Sequence, residues 1–427
     1  MVNHSWVFSG KLLSKNDGRN LNPGNQSKSA GESHLWVVSE YFHPCDNATG
    51  QIMTVIAGML SKIRGVNVIT TTRRGVAAGI VTPGLEVFRI KDSSLNKNSL
   101  FQRPLRIMLL SLRLFFKILR LVKRNDTVIS VTNPTLLTFL LKFGKMIGGF
   151  KIILIVHDVF PENMVATGIM KKTNPFFRII RRGFQNALDS FDAVVVIGRD
   201  MEQIMKPKIR NTGKIHYLPN FAETGRIKPV EKRLNPIIRE FGLEDKLVIL
   251  FTGNIGRAQH IDFICMLLLK MASMAEVHFL FIGDGAMKAP LENFIRDNGL
   301  SNATLMPAMA RNRENIFLNA GDIGLVSLKP GLKGLGVPSK TYSYMAAAKP
   351  ILAMVEPGSE IDIMVKEHNI GWSIDPLDLE QCVRTILSLK HGSDEMRMKG
   401  ETARKTCEKF HTPEVYVANL IAIINSI

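Results

Sequence analysis

Apolar residues along this chain follow two rhythms. Short, nearly continuous apolar runs alternate with longer stretches in which apolar positions recur every three or four residues. His34-Leu-Trp-Val-Val-Ser39 is a run of the first kind. It leads through a loop containing Pro44, Asn47 and Gly50 into the helical pattern Ile52–Ile63, and Val66–Thr72 reads as the next strand. Strand, Gly-ended loop, helix and strand in that order predict a βαβ opening. The order recurs with strands at Thr127–Val131, Lys151–Val156 and Asp192–Ile197 and a helix at Leu136–Ile147. Such alternation predicts a parallel sheet covered by helices on both faces.

The pattern restarts in the second half. Strands are expected at Lys246–Phe251, Glu276–Ile282, Ile323–Ser327 and Pro350–Met354, and helices at Ile261–Ala272, Leu291–Asn298 and Lys340–Ala347. Residues 219–235 between the halves hold Pro219, Gly225, Pro229 and a run of charge, which suits a linker. The expected organisation is a leader over 1–33, rich in Ser, Asn, Gly and Lys and without the apolar stretch of a secretory signal; a first doubly wound domain over 34–218; the linker; and a second doubly wound domain over 236–427, whose last helix packs back on the first.

Composition narrows the partners. The chain has 427 residues, 45% hydrophobic and 22% charged, and no run of 18 apolar residues to cross a bilayer. Its four cysteines are widely spaced, which excludes a disulfide framework and fits a reducing cytoplasm. Net charge is +18, and residues 34–220 carry 27 basic against 11 acidic side chains. The first domain therefore faces an anionic partner: nucleic acid, anionic lipid or lipid-linked phosphate.

In open α/β sheets ligands bind beyond the carboxyl ends of the strands. Three turns of the second half stand there. Thr252-Gly-Asn-Ile-Gly-Arg257 joins Gly253, Asn254 and Gly256, which admit a phosphate close to the backbone, to Arg257, which can hold two of its oxygens. Ile282-Gly-Asp-Gly285 supplies Asp284 and Gly285 at the next strand end, though such a turn is common. Gly334-Leu-Gly-Val-Pro-Ser-Lys-Thr341 runs into a helix, with Pro338 suited to its first turn and Ser339 and Lys340 placed to meet an anion; a simple helix cap is the alternative. Together the three predict a diphosphate site. Neither P-loop nor G-x-G-x-x-G spacing is present, which disfavours ATP hydrolysis and nicotinamide chemistry.

In the first half, Ile155-Val-His-Asp-Val-Phe-Pro-Glu162 puts His157 and Asp158 at a strand end, where they line a cleft or, alternatively, serve a structural role. Thr49 and Gly50 occupy the corresponding place after the first strand, within reach of a sugar or acceptor phosphate. Between residues 103 and 124, Arg106, Arg113, Lys117, Arg120 and Arg124 fall on one helical stripe roughly 60° wide. The stripe fits either a helix lying on an anionic membrane surface or a solvated face of a packed helix; the aromatic and basic mixture Pro175-Phe-Phe-Arg-Ile-Ile-Arg-Arg-Gly-Phe184 favours the membrane.

As a set, Ser39-Glu-Tyr-Phe-His-Pro44, Val156-His-Asp-Val-Phe-Pro-Glu162, Leu218-Pro-Asn220, Phe251-Thr-Gly-Asn-Ile-Gly-Arg-Ala-Gln259, Ile282-Gly-Asp-Gly285 and Pro338-Ser-Lys-Thr-Tyr-Ser-Tyr-Met-Ala-Ala-Ala-Lys-Pro350 resemble the family 4 retaining glycosyltransferases, over residues 34–427. Within that family the likeness is to bacterial enzymes of O-antigen and exopolysaccharide assembly, including the L-fucosaminyltransferase-like branch. The resemblance implies the GT-B fold, two facing Rossmann-like domains, and transfer of a hexosyl or N-acetylhexosaminyl group from a UDP-sugar. The implied acceptor is a saccharide linked to polyprenyl diphosphate, at the inner face of the cell membrane, with no metal and no cofactor. It departs from the family at Ser343, where a ribose-gripping Glu is usual, at Ala348, where Gly is usual, and at His260, where its branch often has Gly. By the same resemblance the nucleotide-sugar contacts fall on Gly253, Asn254, Gly256, Arg257, Asp284, Gly285, Pro338, Ser339, Lys340 and Ser343, and the reaction on His157, Asp158, Arg257 and Lys340. The alternatives are a sugar-nucleotide 2-epimerase of the same fold and a basic nucleic-acid-binding protein; the latter is disfavoured by an aromatic content of 7% and by basic residues set in a helical stripe.

Overall fold

The computed structural model describes residues 33–45, 47–72, 84–92, 95, 102–390 and 392–427. Apart from Ser33, the expected leader lies outside the described residues. The first half runs β1 (Leu35–Val38), α1 (Ala48–Leu60), β2 (Val66–Thr72), β3 (Leu85–Lys91), α2 (Gln102–Leu121), β4 (Thr127–Val131), α3 (Thr135–Gly148), β5 (Lys151–Val156), α4 (Glu162–Ala166), α5 (Pro175–Ser190), β6 (Ala193–Val196), α6 (Arg199–Met205) and β7 (Ile215–Tyr217). The second runs α7 (Pro236–Glu240), β8 (Leu247–Asn254), α8 (Ile261–Lys270), β9 (Val277–Asp284), α9 (Lys288–Asp297), β10 (Ala303–Met306), α10 (Glu314–Leu318), β11 (Ile323–Ser327), α11 (Lys340–Ala346), β12 (Ile351–Met354), α12 (Glu360–His368), β13 (Gly371–Ile374), α13 (Leu379–Leu389), α14 (Ser393–Phe410) and α15 (Pro413–Ser426).

Two parallel sheets result, ordered β3-β2-β1-β4-β5-β6-β7 and β10-β9-β8-β11-β12-β13. Each order reverses beside its first strand, between β1 and β4 and between β8 and β11, and a crevice opens at such a reversal. Apart from the half-buried Lys151, β4, β5 and β6 are buried on both sides and, but for Thr127 and Ser130, apolar, as suits central strands under two helical layers. In the second sheet, alternation divides the core cleanly. Val248, Leu250, Leu280 and Ile282 enter the cluster on one face, and Leu247, Ile249, Phe251, Phe279 and Phe281 the cluster on the other.

Local signals set the helix ends. The Asn47 side chain accepts the Gly50 N–H to cap α1, α3 stops at Gly149 in the left-handed region (φ 67°), and Thr412 caps α15. From the far end of the chain, α15 puts Tyr416, Val417, Leu420 and Ile423 into the core of the first sheet. Among the described residues, no helix is long and apolar enough to cross a membrane.

Candidate active site

The cavity between the halves has a volume of about 1140 Å³ and gathers residues from both. His157, Asp158 and Asn163 come from the first half, Asn220 from the connection between the halves, and Ala258, Gln259, Pro338 and Ser339 from the second. Thr49, in the first turn of α1, lines the same space.

On the second half, the turns after β8 and β9 form one platform. The Ile255 N–H donates to the Asp284 carbonyl at 2.9 Å, and the Met287 N–H to the Ile255 carbonyl at 2.9 Å. Glycine is required here: a Cβ on Gly283 would stand 1.9 Å from the Gly253 carbonyl oxygen, and one on Gly285 2.4 Å from that of Ile255. Gly253 (φ 89°) and Asn254 are left exposed, Gly256 packs on the Asn254 side chain, and Asp284 folds its carboxylate back onto the Gly285 N–H at 2.8 Å. Arg257 follows, exposed and without an ion pair or hydrogen-bond partner among the described residues, immediately before the cavity-lining Ala258 and Gln259. A free guanidinium beside open backbone is a competent receptor for a diphosphate.

The third turn behaves differently from expectation. Its first half belongs to the contact between the two halves: Gly334 (φ 71°) gives its N–H to Asp200 Oδ2 at 2.8 Å, Leu335 accepts the Val159 N–H at 3.0 Å, and Gly336 bridges Asp158. Pro338 and Ser339 reach the cavity, and the Ser339 side chain makes no cap bond. Lys340 does not offer a charge there. Its Nζ lies 3.3 Å from the centroid of the Phe251 ring, buried and without a hydrogen-bond partner among the described residues. Burial holds its pKa well below the usual lysine value. Ser343 is half-buried one turn further along α11.

Opposite, β5 ends at Val156 and delivers His157 and Asp158. Their N–H groups approach Thr132 Oγ1 at 3.3 and 3.4 Å, which ties the β5 end to the β4 end. Burial lowers the His157 pKa to about 4, leaving a neutral imidazole whose buried Nε2 has no hydrogen-bond partner among the described residues. Asp158 opens to the cavity yet is ringed by protein, and the resulting desolvation raises its carboxyl pKa. Gly50 needs correction: its N–H is consumed by Asn47 at 2.8 Å and a Cβ there would meet Asn47 Oδ1 at 2.9 Å, so its backbone is not offered to a ligand.

The basic stripe on α2 is also corrected. Arg106 is buried, with Nη2 2.7 Å from Glu40 Oε1 and 2.7 Å from Asp92 Oδ2. Arg113 donates to the Lys91 carbonyl at 2.8 Å and Lys117 lies over the Phe88 ring, so the stripe turns toward the β3 edge of the sheet. Arg113, Arg120 and Arg124 are exposed, and beside them α2 shows Leu105, Met108 and Phe116 to solvent.

Sequence reading missed the clasp that sets the cleft. Arg199 Nη2 meets Glu360 Oε1 at 3.0 Å, the Tyr217 hydroxyl donates to the same carboxylate at 2.7 Å, and Asp200 accepts the Glu360 N–H at 3.0 Å. These residues are 143 to 161 positions apart, and nothing in the local sequence signals their pairing.

No protein-family model matches the chain. It is 35% identical to the probable glycosyltransferase WbjE of Pseudomonas aeruginosa over 355 residues, 83% of this chain and 88% of that one. It is 22% identical over 295 residues to the putative colanic acid biosynthesis glycosyl transferase WcaI of Escherichia coli K12, covering 67% and 71% of the two chains. Among solved structures, HepE of Anabaena in complex with UDP and glucose superposes with a TM-score of 0.71 at 11% identity, over 93% of this chain and 100% of that one. WaaG, a glycosyltransferase involved in lipopolysaccharide biosynthesis, gives 0.66 at 13% identity, over 90% and 98%. The structural likenesses establish the GT-B fold, and the identity to WbjE along most of both chains establishes kinship: this chain belongs to the glycosyltransferase family of WbjE.

Proposed function

We propose that the enzyme transfers a sugar from a UDP-sugar, with retention of anomeric configuration, to a lipid-linked saccharide at an anionic inner-membrane surface, in the assembly of a bacterial surface polysaccharide. The observation that carries this reading is the exposed Arg257 on its glycine platform, with no ion pair among the described residues, and Ser339, His157 and Asp158 lining the cavity beside it. As the bond from sugar to diphosphate breaks, negative charge grows on the leaving group, and the Arg257 guanidinium stabilises it. Ser339 adds a hydroxyl. The neutral His157 and the Asp158 carboxyl orient the sugar and stabilise the electron-poor anomeric carbon, and the acceptor hydroxyl is the nucleophile. The lipid-linked acceptor is supported by the basic balance of residues 34–220 and by the apolar side chains exposed on α2, α3 and α5.

The test is a panel of nucleotide-sugars incubated with bacterial membranes and scored for nucleotide release. Release with a UDP-sugar that needs the membrane fraction is the expected result. His157→Ala and Asp158→Ala should lose turnover and keep UDP binding; full activity in both would return these residues to a structural role. Conversion of a UDP-sugar with no membrane present would instead point to an epimerase.

A further inference from the structure

The cavity is larger than a sugar nucleotide's reacting end requires. At about 1140 Å³ it exceeds even the ~300–1,000 Å³ usual for small-molecule sites, because it runs out of the cleft into a furrow between α3 on one side and α4 and α5 on the other. Leu136, Leu140 and Phe143 form one wall, and Met164, Ile179 and Ile180 the other. Phe139, Phe160 and Phe184 pack edge to face beneath, with centroids 6.0 to 6.2 Å apart. Gly183 lets α5 close onto this floor: a Cβ there would come within 3.1 Å of the Phe139 ring.

The two longer helices that wall the furrow, α3 and α5, also expose apolar surface. Half of the large hydrophobic side chains that stand exposed among the described residues lie between positions 105 and 179, including Phe143 (53% exposed), Met146 (72%), Ile147 (72%), Phe176 (64%) and Ile179 (65%). Concentrated exposure of this kind marks a contact surface. Cations flank it: Arg178 and Arg182 are exposed on α5 without ion pairs among the described residues, and Lys171 and Lys172 are exposed just before it. One end of the furrow thus opens at His157 and Asp158, and the other at an apolar rim edged with positive charge.

We propose that this furrow seats the proximal part of the hydrocarbon chain of a lipid-linked acceptor. The phosphate-bearing head lies in the cleft and the distal chain leaves over Phe143 and Ile179 into the bilayer. The inference rests on the sugar-transfer reading above and names the part of the acceptor that the first half recognises. A furrow continuous with the reaction cleft commits to the acceptor's own chain, since a bulk phospholipid has no reason to enter beyond the rim.

The test is photolabelling of the full chain, mapped by peptide mass spectrometry. One probe is a long-chain isoprenyl diphosphate with a diazirine next to the diphosphate; the other is phosphatidylglycerol vesicles with a diazirine on the acyl chain. The isoprenyl probe should label the furrow walls of α3 and α5, and phosphatidylglycerol only the rim at Met146, Ile147 and Phe176. Leu140→Trp fills the furrow and should cut isoprenyl labelling by about tenfold while UDP binding and rim labelling stay as in the parent. Phe143→Ser changes a side chain outside the core, so it tests the furrow's mouth without risk to folding, and it should lower the labelling too. Equal furrow labelling by both probes, or unchanged labelling in both variants, overturns the proposal. Labelling confined to regions outside the furrow in a protein that binds UDP overturns the chain site alone, whereas absence of UDP binding overturns both readings.

Discussion

The carboxylate of Asp200 accepts the backbone N–H of Gly334 at 2.8 Å, and with it the first half of the molecule holds the loop that carries Pro338 and Ser339 into the cleft. The same Oδ2 takes the Glu360 N–H at 3.0 Å, and the Gly334 backbone lies too close to Asp200 for any side chain. Asp200→Ala leaves the N–H groups of Gly334, Glu360 and Met201 without this acceptor, a cost of about 1–3 kcal/mol for each that stays buried and unpaired. A lower thermal midpoint and faster proteolysis between the halves are expected; an unchanged midpoint would show that the clasp does not need this carboxylate.

Arg257 is expected to dominate nucleotide binding. Its removal in Arg257→Ala should weaken UDP by roughly 1.5–3 kcal/mol, the range for a hydrogen-bonded charge. Lys340→Met replaces an enclosed amino group, without a hydrogen-bond partner among the described residues, by an apolar chain of similar length, so UDP affinity should hold and the midpoint should stay or rise. Calorimetry on both variants decides between them: a larger loss from Lys340→Met would mean that the ammonium leaves the Phe251 ring when nucleotide binds.

For the basic helix faces, burial separates two groups. Arg106→Ala strands the buried Glu40 and should destabilise by about 3–5 kcal/mol with no direct bearing on lipid. Reversal of Arg113, Arg120, Arg178 and Arg182 to Glu should leave folding intact and release the protein from anionic vesicles, since exposed cations contribute about 1 kcal/mol each at such a surface. Flotation at low and high salt measures this, and equal flotation of the reversed protein would place the membrane contact elsewhere.

Acid should unfold the protein through its histidines. Burial depresses His157, His278 and His411 from 6.5 to about 4. Below 6.5 the unfolded chain takes up protons that the folded chain refuses, so this contribution to stability is full above that value and falls as the pH drops toward 4. Thermal midpoints across that window should decline, and less steeply in His278→Asn; a flat profile would contradict the buried neutral state.

The periodicity of the chain by itself determined the two doubly wound halves, because a strand covered on both faces must be apolar throughout and a covering helix must repeat every three to four residues. β2, β4, β5 and β11 stand at the bounds the pattern implies. The glycines of the β8 and β9 turns were legible for the same kind of reason, since backbone that must approach backbone excludes a side chain at those positions wherever they occur. The edge strands β7, β10 and β13, of three or four residues each, are too short to show a period.

What only the tertiary structure decided is which charges are free. Arg106 and Arg113 share a helical stripe, but Glu40 and Asp92 come from other elements to bury the first, and Phe251 encloses Lys340 from across the sheet. A stripe or a turn fixes the direction of a side chain relative to its own backbone. Its partner, and therefore its availability to a ligand, depends on residues tens to hundreds of positions away, whose distance is set by packing.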